Sequence, residues 1–510
     1  MSSLHQANLY QLLQERFAVA PAATCLALPD GSAYSYGDLD QWSARLASAL
    51  KGLGAGVGDR IVVQVDKSPA AVALYLACLR GGMVLVPLNT AYTATELDYF
   101  IKDAEPAVVV CEPARASEIT ALVDGETTVV TLGEASGSVV NLLHLAVDTS
   151  PDWNICFRSS NDLASIVYTS GTTGRSKGAM LSHGNLASNA LTLHQLWGFE
   201  PGDVLLHALP IFHVHGLFVA LNTAMLNAST IIFLDKFTTE EVLAQLPMAT
   251  VMMGVPTFYT RLLASAEFKA THYAHMRLFI SGSAPLTEQT FAHFEERTGQ
   301  RILERYGMTE TGMITSNPLL GERIAGTVGF PLPGVRVRVC DTQGLPLAAG
   351  EVGVVEVAGP NVFQGYWHMP GKTAEEFRSD GWFITGDLGQ LDNQGRLSIV
   401  GRGKDLIISG GFNVYPKEIE LRLDASAEIV ESAVIGVPHP DFGEAVVAVC
   451  VAATEPPPSA DSVVAAISGQ LASFKRPKSV VFVAELPRNA MGKVQKNLLR
   501  EQYSQLFVQT

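Results

Sequence analysis

The sequence predicts an α/β protein, in which a large N-terminal body of several sheets and helices is followed by a small mobile C-terminal α+β domain. The body is predicted from an apolar run at 61–65, a helix-like segment at 70–79 and a second apolar run at 83–88. This strand–helix–strand order is typical of α/β sheets. The 510 residues are 47% hydrophobic, which is enough for more than one folded core.

The same alternation continues along the body. Residues 107–111 are strand-like, and the short apolar strand 277–280 runs into Ser281-Gly282-Ser283. Thr287 is predicted to cap a helix that extends through Arg297. Open α/β sheets bind ligands in the loops that follow their strands, so functional residues are expected there.

The C-terminal fifth has a different pattern. Short apolar runs, a helix and a last strand predict a small α+β unit, at 397–400, 432–437, 445–451, 459–472 and 479–483. The change falls at 401–405, a charged segment with two glycines that is typical of a hinge. We therefore predict an N-terminal domain at 1–402 and a C-terminal domain at 403–510.

Composition limits the possible partners. Thirty-five basic and 50 acidic residues give a net charge of −15, which disfavours nucleic acid and anionic membranes as ligands. The six cysteines include no Cys-x-x-Cys pair and are predicted to be reduced and mostly buried. No signal peptide and no apolar span is recognised, so we expect a cytoplasmic monomer or homodimer that acts on small molecules.

The strongest motif is a glycine-rich and hydroxyl-rich run at 168–178, directly after the apolar run 163–167. Glycines let backbone amides turn toward a ligand, and hydroxyls with a lysine supply donors for phosphate oxygens. A polar surface turn would explain an isolated Gly-Thr pair but not the whole run. The motif lacks the Walker A spacing. It predicts phosphate binding by Thr169, Ser170, Gly171, Thr172, Thr173, Gly174 and Lys177.

A second cluster, 306–311, follows an apolar-bearing stretch at 301–303. The ring of Tyr306 could stack on a purine, Thr309 could donate to a phosphate, and Glu310 could hold Mg²⁺ between phosphates. Taken alone, this pattern is equally typical of a surface turn with an exposed glutamate.

Two more clusters are weak when each is taken alone. The carboxylate of Asp387 could accept both ribose hydroxyls, with Arg402 as a further donor, although either is usually a surface residue. Lys493 lies in a glycine-bearing loop near the C-terminus, where a solvated lysine is the ordinary interpretation.

The four clusters together, with 401–405 and 409–416 between the last two, resemble the adenylate-forming superfamily of acyl-CoA synthetases, luciferases and peptide-synthetase adenylation domains. The resemblance covers essentially the whole chain. It implies an AMP-forming acid:CoA ligase that uses ATP, CoA and Mg²⁺. Segments 209–216, 254–261 and 278–285 resemble malonyl-CoA synthetases, which implies malonate as the acid; another small acid, such as methylmalonate or a short-chain or aromatic monocarboxylate, is the alternative.

The resemblance also implies roles for individual residues. Lys493, Thr309, Glu310 and His213 would be catalytic, Glu310 would bind the metal, and Lys404 would be the hinge. ATP or AMP would contact Thr169, Ser170, Gly171, Thr172, Thr173, Gly174, Lys177, Ser283, Ala284, Pro285, Glu304, Arg305, Tyr306, Gly307, Thr309, Asp387, Arg402 and Lys493. CoA would contact Ser409, Gly410, Gly411 and Lys475, although a solvated charge run explains the basic segment 474–478 about equally well.

The choice of acid depends on Arg261, which has apolar neighbours in the sequence at 251–258 and 262–263. An unpaired guanidinium is costly to bury, so an anion should meet it. An internal Asp or Glu is the ordinary partner. The resemblance implies instead that Arg261, Ser283 and His213 form the acyl site, with Arg261 and Ser283 on the far carboxylate of a dicarboxylic acid. A non-enzymatic nucleotide sensor would not need both Lys493 and the glycine segment 409–411.

Overall fold

The computed structural model describes residues 6–133, 139–169, 176–410, 412–489 and 492–507. Some of the predicted ligand-binding residues lie outside these ranges, namely Ser170, Gly171, Thr172, Thr173, Gly174 and Gly411.

The body contains a seven-stranded sheet that is parallel except at one edge, where the last two strands are antiparallel. In spatial order its strands are Val140–Asn141, Thr128–Thr131, Val108–Cys111, Arg60–Gln64, Val84–Pro87, Leu163–Thr169 and Lys177–Ser182. The antiparallel pair places Thr169 opposite Lys177, so the phosphate-loop motif joins two adjacent strands.

A nine-stranded sheet forms the second layer of the body and is parallel through its centre. Its strands run in the order Phe330–Pro331, Gly312–Ser316, Leu303–Met308, Leu278–Ser281, Val251–Gly254, Val204–His207, Thr230–Phe233, Thr24–Ala27 and Ala33–Ser35. The central strands are buried and apolar, as expected for parallel strands covered on both faces.

Helices cover these sheets. The predicted helix at 70–79 is Pro69–Gly81, capped by the Ser68 side chain and ended by Gly82 at φ +72°. Thr287 caps the helix Glu288–Thr298, as predicted. The other α-helices of the body are Leu9–Phe17, Tyr36–Gly52, Ala94–Ala104, Ala116–Thr120, Leu142–Asp148, His183–Leu196, Asn222–Leu226, Thr239–Gln245, Pro256–Ala264, Ala270–Tyr273 and Pro370–Glu376, and His215–Leu221 is a π-helix.

A four-stranded antiparallel sheet completes the part of the chain before residue 403, with strands Arg336–Cys340, Gly353–Ala358, Phe383–Leu391 and Leu397–Arg402. The last strand corrects one prediction. The apolar run 397–400 was assigned to the small C-terminal unit, but Leu397–Arg402 pairs with Phe383–Leu391 in the preceding sheet. An apolar run does not indicate which strand it will pair with.

The C-terminal part is a five-stranded sheet of Phe412–Val414, Ile407–Ser409, Gly443–Ala452, Ile429–His439 and Ser479–Phe482, with helices Pro416–Asp424, Ala460–Ser468 and Lys496–Gln502. Its two apolar clusters draw their buried residues only from positions after 405. A 3₁₀ turn, Gly403–Asp405, connects it to the body. The predicted fold class, a large α/β body with a small α+β domain, is confirmed.

Two predictions from composition agree with the structure. All six cysteines are free thiols, and five of them are buried; Cys156 is partly exposed. Among the described helices, none combines the length and the apolar character needed to cross a membrane.

Candidate functional site

The predicted site residues converge on one edge of the nine-stranded sheet. The parallel strands Val251–Gly254, Leu278–Ser281 and Leu303–Met308 are neighbours, with Gly254 opposite Ser281 and Ser281 opposite Glu304. Their carboxyl ends therefore meet at the same edge, which is where open α/β sheets bind ligands.

Adjacent residues of the strand Leu303–Met308 face two different groups of side chains, as expected for a strand. Tyr306 faces the four-stranded sheet, and its hydroxyl donates to Oδ2 of Asp387. Nε of Arg402 lies 2.6 Å from Oδ1 of the same carboxylate. The structure thus brings together three predicted nucleotide contacts, with a nearly buried carboxylate held between a phenol and a guanidinium.

Lys177 belongs to a buried polar network that includes two residues missed from the sequence. Its Nζ lies 2.8 Å from Oε1 of Glu376 and 4.0 Å from the ring centroid of Tyr366. The Tyr366 hydroxyl lies 2.6 Å from Oε2 of Glu376 and 2.9 Å from Oε1 of Glu310. Glu376 is 199 residues from Lys177 in the chain, so no local sequence pattern links them.

Glu310 can accommodate a Mg²⁺ ion that arrives with a nucleotide. Within the described residues, no group of three or more Asp, Glu, His or Cys side chains is placed to hold a metal. Nucleotide-bound Mg²⁺ takes most of its ligands from phosphate and water and needs only one or two carboxylates. Glu310 supplies one such carboxylate, with Thr309 beside it; its burial raises its pKa, an effect that a bound cation would oppose.

Arg305, between Glu304 and Tyr306, points away from the Tyr306–Asp387 pair. Its guanidinium lies directly over Gly282, where a Cβ would be only 2.5 Å from Cζ. The residue is 3% exposed, and its Nε and Nη2 have no hydrogen-bond partner within the described chain. Burial lowers the pKa of Arg305, but arginine keeps its charge at neutral pH. Gly282 is therefore required here because a larger residue would displace the guanidinium.

Ser283 and His215 form a polar pair next to this guanidinium. Oγ of Ser283 lies 3.2 Å from Nδ1 of His215, and Ser283 has a φ of +70°, a conformation that non-glycine residues rarely adopt. The buried Nε2 of His215 has no partner among the described residues. Burial lowers the pKa of nearby His213 to about 4, so its imidazole is neutral at pH 7.

The remaining predicted contacts at this edge occupy different environments. Ala284 is partly buried and Pro285 is exposed. Glu304 is 6% exposed, and burial raises its pKa to about 8. At Gly307 a Cβ would be 2.1 Å from the carbonyl oxygen of Gly312, so glycine allows these strands to pair.

Arg261 departs from the sequence-based expectation. It is exposed on the helix Pro256–Ala264, whereas Tyr259 and Leu262 on either side of it are buried. It forms no hydrogen bond or ion pair with the residues that the structure describes. The premise that its apolar sequence neighbours surround it is wrong, and no internal carboxylate among those residues pairs with it. Its assignment to the acyl substrate stays a prediction.

The Lys493 loop packs against the same helix. Gly492 has a φ of +71°, and a Cβ there would lie 3.0 Å from Oγ1 of Thr257. Lys493 is exposed at the surface, but desolvation of its ammonium, followed by the charge of Arg402, lowers its pKa to about 8. The predicted catalytic lysine thus lies near the Asp387–Arg402 pair, in the docked position that the adenylation step would require.

The predicted CoA-binding residues lie elsewhere on the C-terminal domain. Ser409 is buried, and the amide of exposed Gly410 donates to the Phe442 carbonyl at 2.9 Å. Lys475 is paired with Glu418 at 2.7 Å. The predicted hinge residue Lys404 is exposed in the turn Gly403–Asp405. None of these positions is tested as a CoA contact or hinge, and the assignments stay predictions.

Residues 13–367 match the model of the AMP-binding enzyme family, and residues 418–493 match that of the AMP-binding enzyme C-terminal domain. The chain belongs to the AMP-binding enzyme family. The ATP-bound structure of MatB from Rhodopseudomonas palustris is 53% identical, with a TM-score of 0.96, and the match covers 99% of this chain and 100% of that one. The apo structure of MatB gives a TM-score of 0.83 at 52% identity, with the same coverage. The chain therefore superposes better on the ATP-bound structure of MatB than on its apo structure.

Curated relatives agree with the family assignment. A feruloyl-CoA synthase from Amycolatopsis is 34% identical over 96% of this chain and 97% of its own length. A malonate–CoA ligase from Arabidopsis thaliana is 33% identical over 92% of this chain and 85% of its own. This AMP-binding enzyme is an AMP-forming acid:CoA ligase, as the motifs predicted.

Proposed function

We propose that this AMP-binding enzyme is a malonyl-CoA synthetase, which converts malonate, ATP and CoA into malonyl-CoA, AMP and pyrophosphate through malonyl-AMP. Similarity to MatB and to malonate–CoA ligases supports this choice. The structural observation that carries the choice of acid is the buried guanidinium of Arg305, which the resemblance assigned to the nucleotide and which we instead propose as a contact of the acid.

An unpaired buried charge costs several kcal/mol, so its retention needs a reason. Arg305 has no ion pair within the described chain, and the polar pair of Ser283 and His215 lies beside it. A dicarboxylic acid would bring a second carboxylate to this place. A short-chain or aromatic monocarboxylate would leave the guanidinium unpaired, so the site favours malonate or a close analogue such as methylmalonate. Exposed Arg261 stays a predicted contact of the acid.

The nucleotide would bind where the edge of the nine-stranded sheet meets the four-stranded sheet. We assign Tyr306 to the adenine ring, Asp387 and Arg402 to the ribose, and Lys177 with the loop 169–174 to the phosphates. Thr309 would donate to a phosphate oxygen. Glu310 would hold Mg²⁺, which would neutralise negative charge on the phosphates.

In the first half-reaction, a malonate carboxylate oxygen would attack the α-phosphorus of ATP. The new P–O bond gives malonyl-AMP, and the bond to the β-phosphate oxygen breaks to release pyrophosphate. The protein would contribute mainly alignment of the reactants and stabilisation of the developing charge. The docked ammonium of Lys493 is suited to this charge, and neutral His213 would line the acyl pocket.

In the second half-reaction, the CoA thiol would attack the acyl carbonyl as its proton leaves, and AMP would depart with the electrons of the acyl–oxygen bond. The Lys493 loop covers the edge at Thr257, so CoA needs a different arrangement of the small domain. We propose that rotation at Lys404, between domains 1–402 and 403–510, replaces this loop with the segment 409–411. A cytoplasmic location and a monomeric or homodimeric state complete the proposal.

The test is a panel of acids assayed for CoA-dependent AMP formation by the purified protein. Malonate should give the highest kcat/KM, methylmalonate a lower one, and acetate, butyrate and ferulate the lowest. A preference for a monocarboxylate would refute the choice of malonate and leave the acid:CoA ligase assignment intact.

A further inference from the structure

We propose that Glu376 is a positioning residue for the phosphate-binding side of the site. It would hold Lys177 by an ion pair and orient the phenol of Tyr366, whose one hydroxyl proton is shared between Glu376 and Glu310. No motif in the sequence assigns a role to Glu376. The proposal rests on two parts of the proposed function, the contact of Lys177 with phosphate and the contact of Glu310 with Mg²⁺.

The backbone holds these groups in fixed relation. The segment that carries Tyr366 pairs with the strand Lys177–Ser182 through an antiparallel bridge at Ala179. The Trp367 amide donates to the Gly178 carbonyl at 2.8 Å, and the Met180 amide donates to Gly365 at 3.0 Å. The segment that precedes the helix of Glu376 is therefore held on the same strand that begins with Lys177.

The helix Pro370–Glu376 is also anchored to this segment. The hydroxyl oxygen of Thr373 accepts a bond from the Tyr366 amide at 2.9 Å, which ties the helix to the residue whose phenol bonds Glu376. Glu376 is the last residue of the helix, so its side chain extends from a fixed end rather than from a free loop.

The ion pair lies where solvent screens it little. The side chains of Lys177 and Glu376 are 12% and 20% exposed, and the phenol of Tyr366 is nearly buried. Lys372, 3.3 Å from Oε1 of Glu376, is the other charged group that faces this carboxylate among the described residues. Hydrogen bonds from Lys177 and Tyr366 outweigh burial and lower the pKa of Glu376, which supports an ionised partner for the lysine.

Holding Lys177 in place removes a cost from nucleotide binding. A free lysine side chain loses rotamer entropy when it is fixed. The ammonium has three donors, so the bond to Glu376 leaves two for phosphate oxygens. Glu376 therefore does not need to leave when ATP binds. If Glu376 instead had to release Lys177 before ATP could bind, it would compete with the phosphates and weaken ATP binding.

The decisive variant is Glu376→Gln, which keeps the shape of the side chain and removes its charge. Glu375→Gln is the matched control, because Glu375 is exposed and pairs only with Lys372 among the described residues. Lys177→Met shows whether the lysine meets the nucleotide. Each protein is titrated with MgATP alone in a calorimeter and then assayed for KM of ATP, acid and CoA.

We expect Glu376→Gln to weaken MgATP binding and raise KM for ATP by about 10-fold to 100-fold, the range seen when a group that orients a metal ligand is removed. KM for acid and CoA, and the melting temperature, should change little. Tyr366→Phe should raise the Mg²⁺ concentration needed for half-maximal activity. Glu375→Gln should match the wild type.

Unchanged or tighter MgATP binding by Glu376→Gln would overturn the proposal. An equal rise in KM for ATP, acid and CoA together with a lower melting temperature would also overturn it. If Lys177→Met binds MgATP normally, the assignment of Lys177 to phosphate fails, and the role of Glu376 fails with it. Because the calorimetry omits the acid, an error in the choice of malonate cannot produce these results.

Discussion

Replacing Arg305 by Met should make the ligand-free protein more stable and at the same time a poorer enzyme for malonate. The guanidinium is 3% exposed, with Nε and Nη2 unpaired within the described chain. Met is unbranched and can follow the same path over Gly282 without a charge. Removal of a buried uncompensated charge therefore favours the folded state.

The two effects have opposite signs and measurable sizes. Replacement of a buried ion pair by apolar residues of similar volume is often neutral or stabilising by about 1–4 kcal/mol, and a lone buried charge lacks even the attraction of a partner. Loss of one partner of a desolvated charge pair costs about 2–5 kcal/mol in binding, which corresponds to a decrease in kcat/KM for malonate of about 30-fold to 4,000-fold. Activity toward butyrate should fall far less, because butyrate has no second carboxylate.

The assay combines thermal melting of the ligand-free protein with kcat/KM for malonate, butyrate and ATP. Arg297→Met is the control, because the Arg297 guanidinium is bonded to the carbonyl oxygens of Leu263, Ser265 and Phe268. That variant should lose stability and should affect malonate and butyrate alike. The reasoning about Arg305 is refuted if Arg305→Met lowers the melting temperature and decreases kcat/KM for malonate and for butyrate in equal proportion. The arginine would then be structural.

Four further predictions concern the C-terminal domain and Arg261. Lys493→Ala should abolish most malonyl-AMP formation yet leave thioester formation from supplied malonyl-AMP largely intact; equal losses in a two-step assay would contradict this. Because the pKa of Lys493 is lowered to about 8, its charged form is lost as pH rises, and kcat/KM for ATP should fall about tenfold per unit above pH 8; a profile flat to pH 10 would argue against it. Arg261→Ala should reduce kcat/KM for malonate more than for butyrate, with KM for ATP nearly constant, whereas parallel losses would make Arg261 structural. Lys404→Pro is compatible with the 3₁₀ turn and should retain adenylation while slowing CoA transfer; two unchanged rates would show that the domain does not rotate there.

Local sequence patterns predicted much of the body. The helix-like segment 70–79 and the cap signal of Thr287 each predicted a helix, and the structure has the helices Pro69–Gly81 and Glu288–Thr298 there. The site motifs were also recognised in the sequence, and the structure brings Tyr306, Asp387 and Arg402 into contact.

Features that depend on distant pairing were not predictable in this way. The strand Leu397–Arg402 joined the earlier sheet because its partner is Phe383–Leu391. Arg261 follows an apolar run in the chain, yet helical geometry turns it away from Tyr259 and Leu262 to the exposed face. Glu376 carries no motif, and only the folded chain brings it to Lys177.

The strand Leu303–Met308 presents consecutive residues to two separate groups of side chains, Arg305 toward Gly282 and Tyr306 toward Asp387. On the proposed assignment, these neighbours meet the acid and the nucleotide. A shift of this one backbone segment on binding of either substrate would then link the two binding equilibria. Linkage is reciprocal, so any factor by which ATP alters the affinity for the acid must equal the factor by which the acid alters the affinity for ATP. Substrate synergy would in this way be a property of one strand, without any larger movement of the protein.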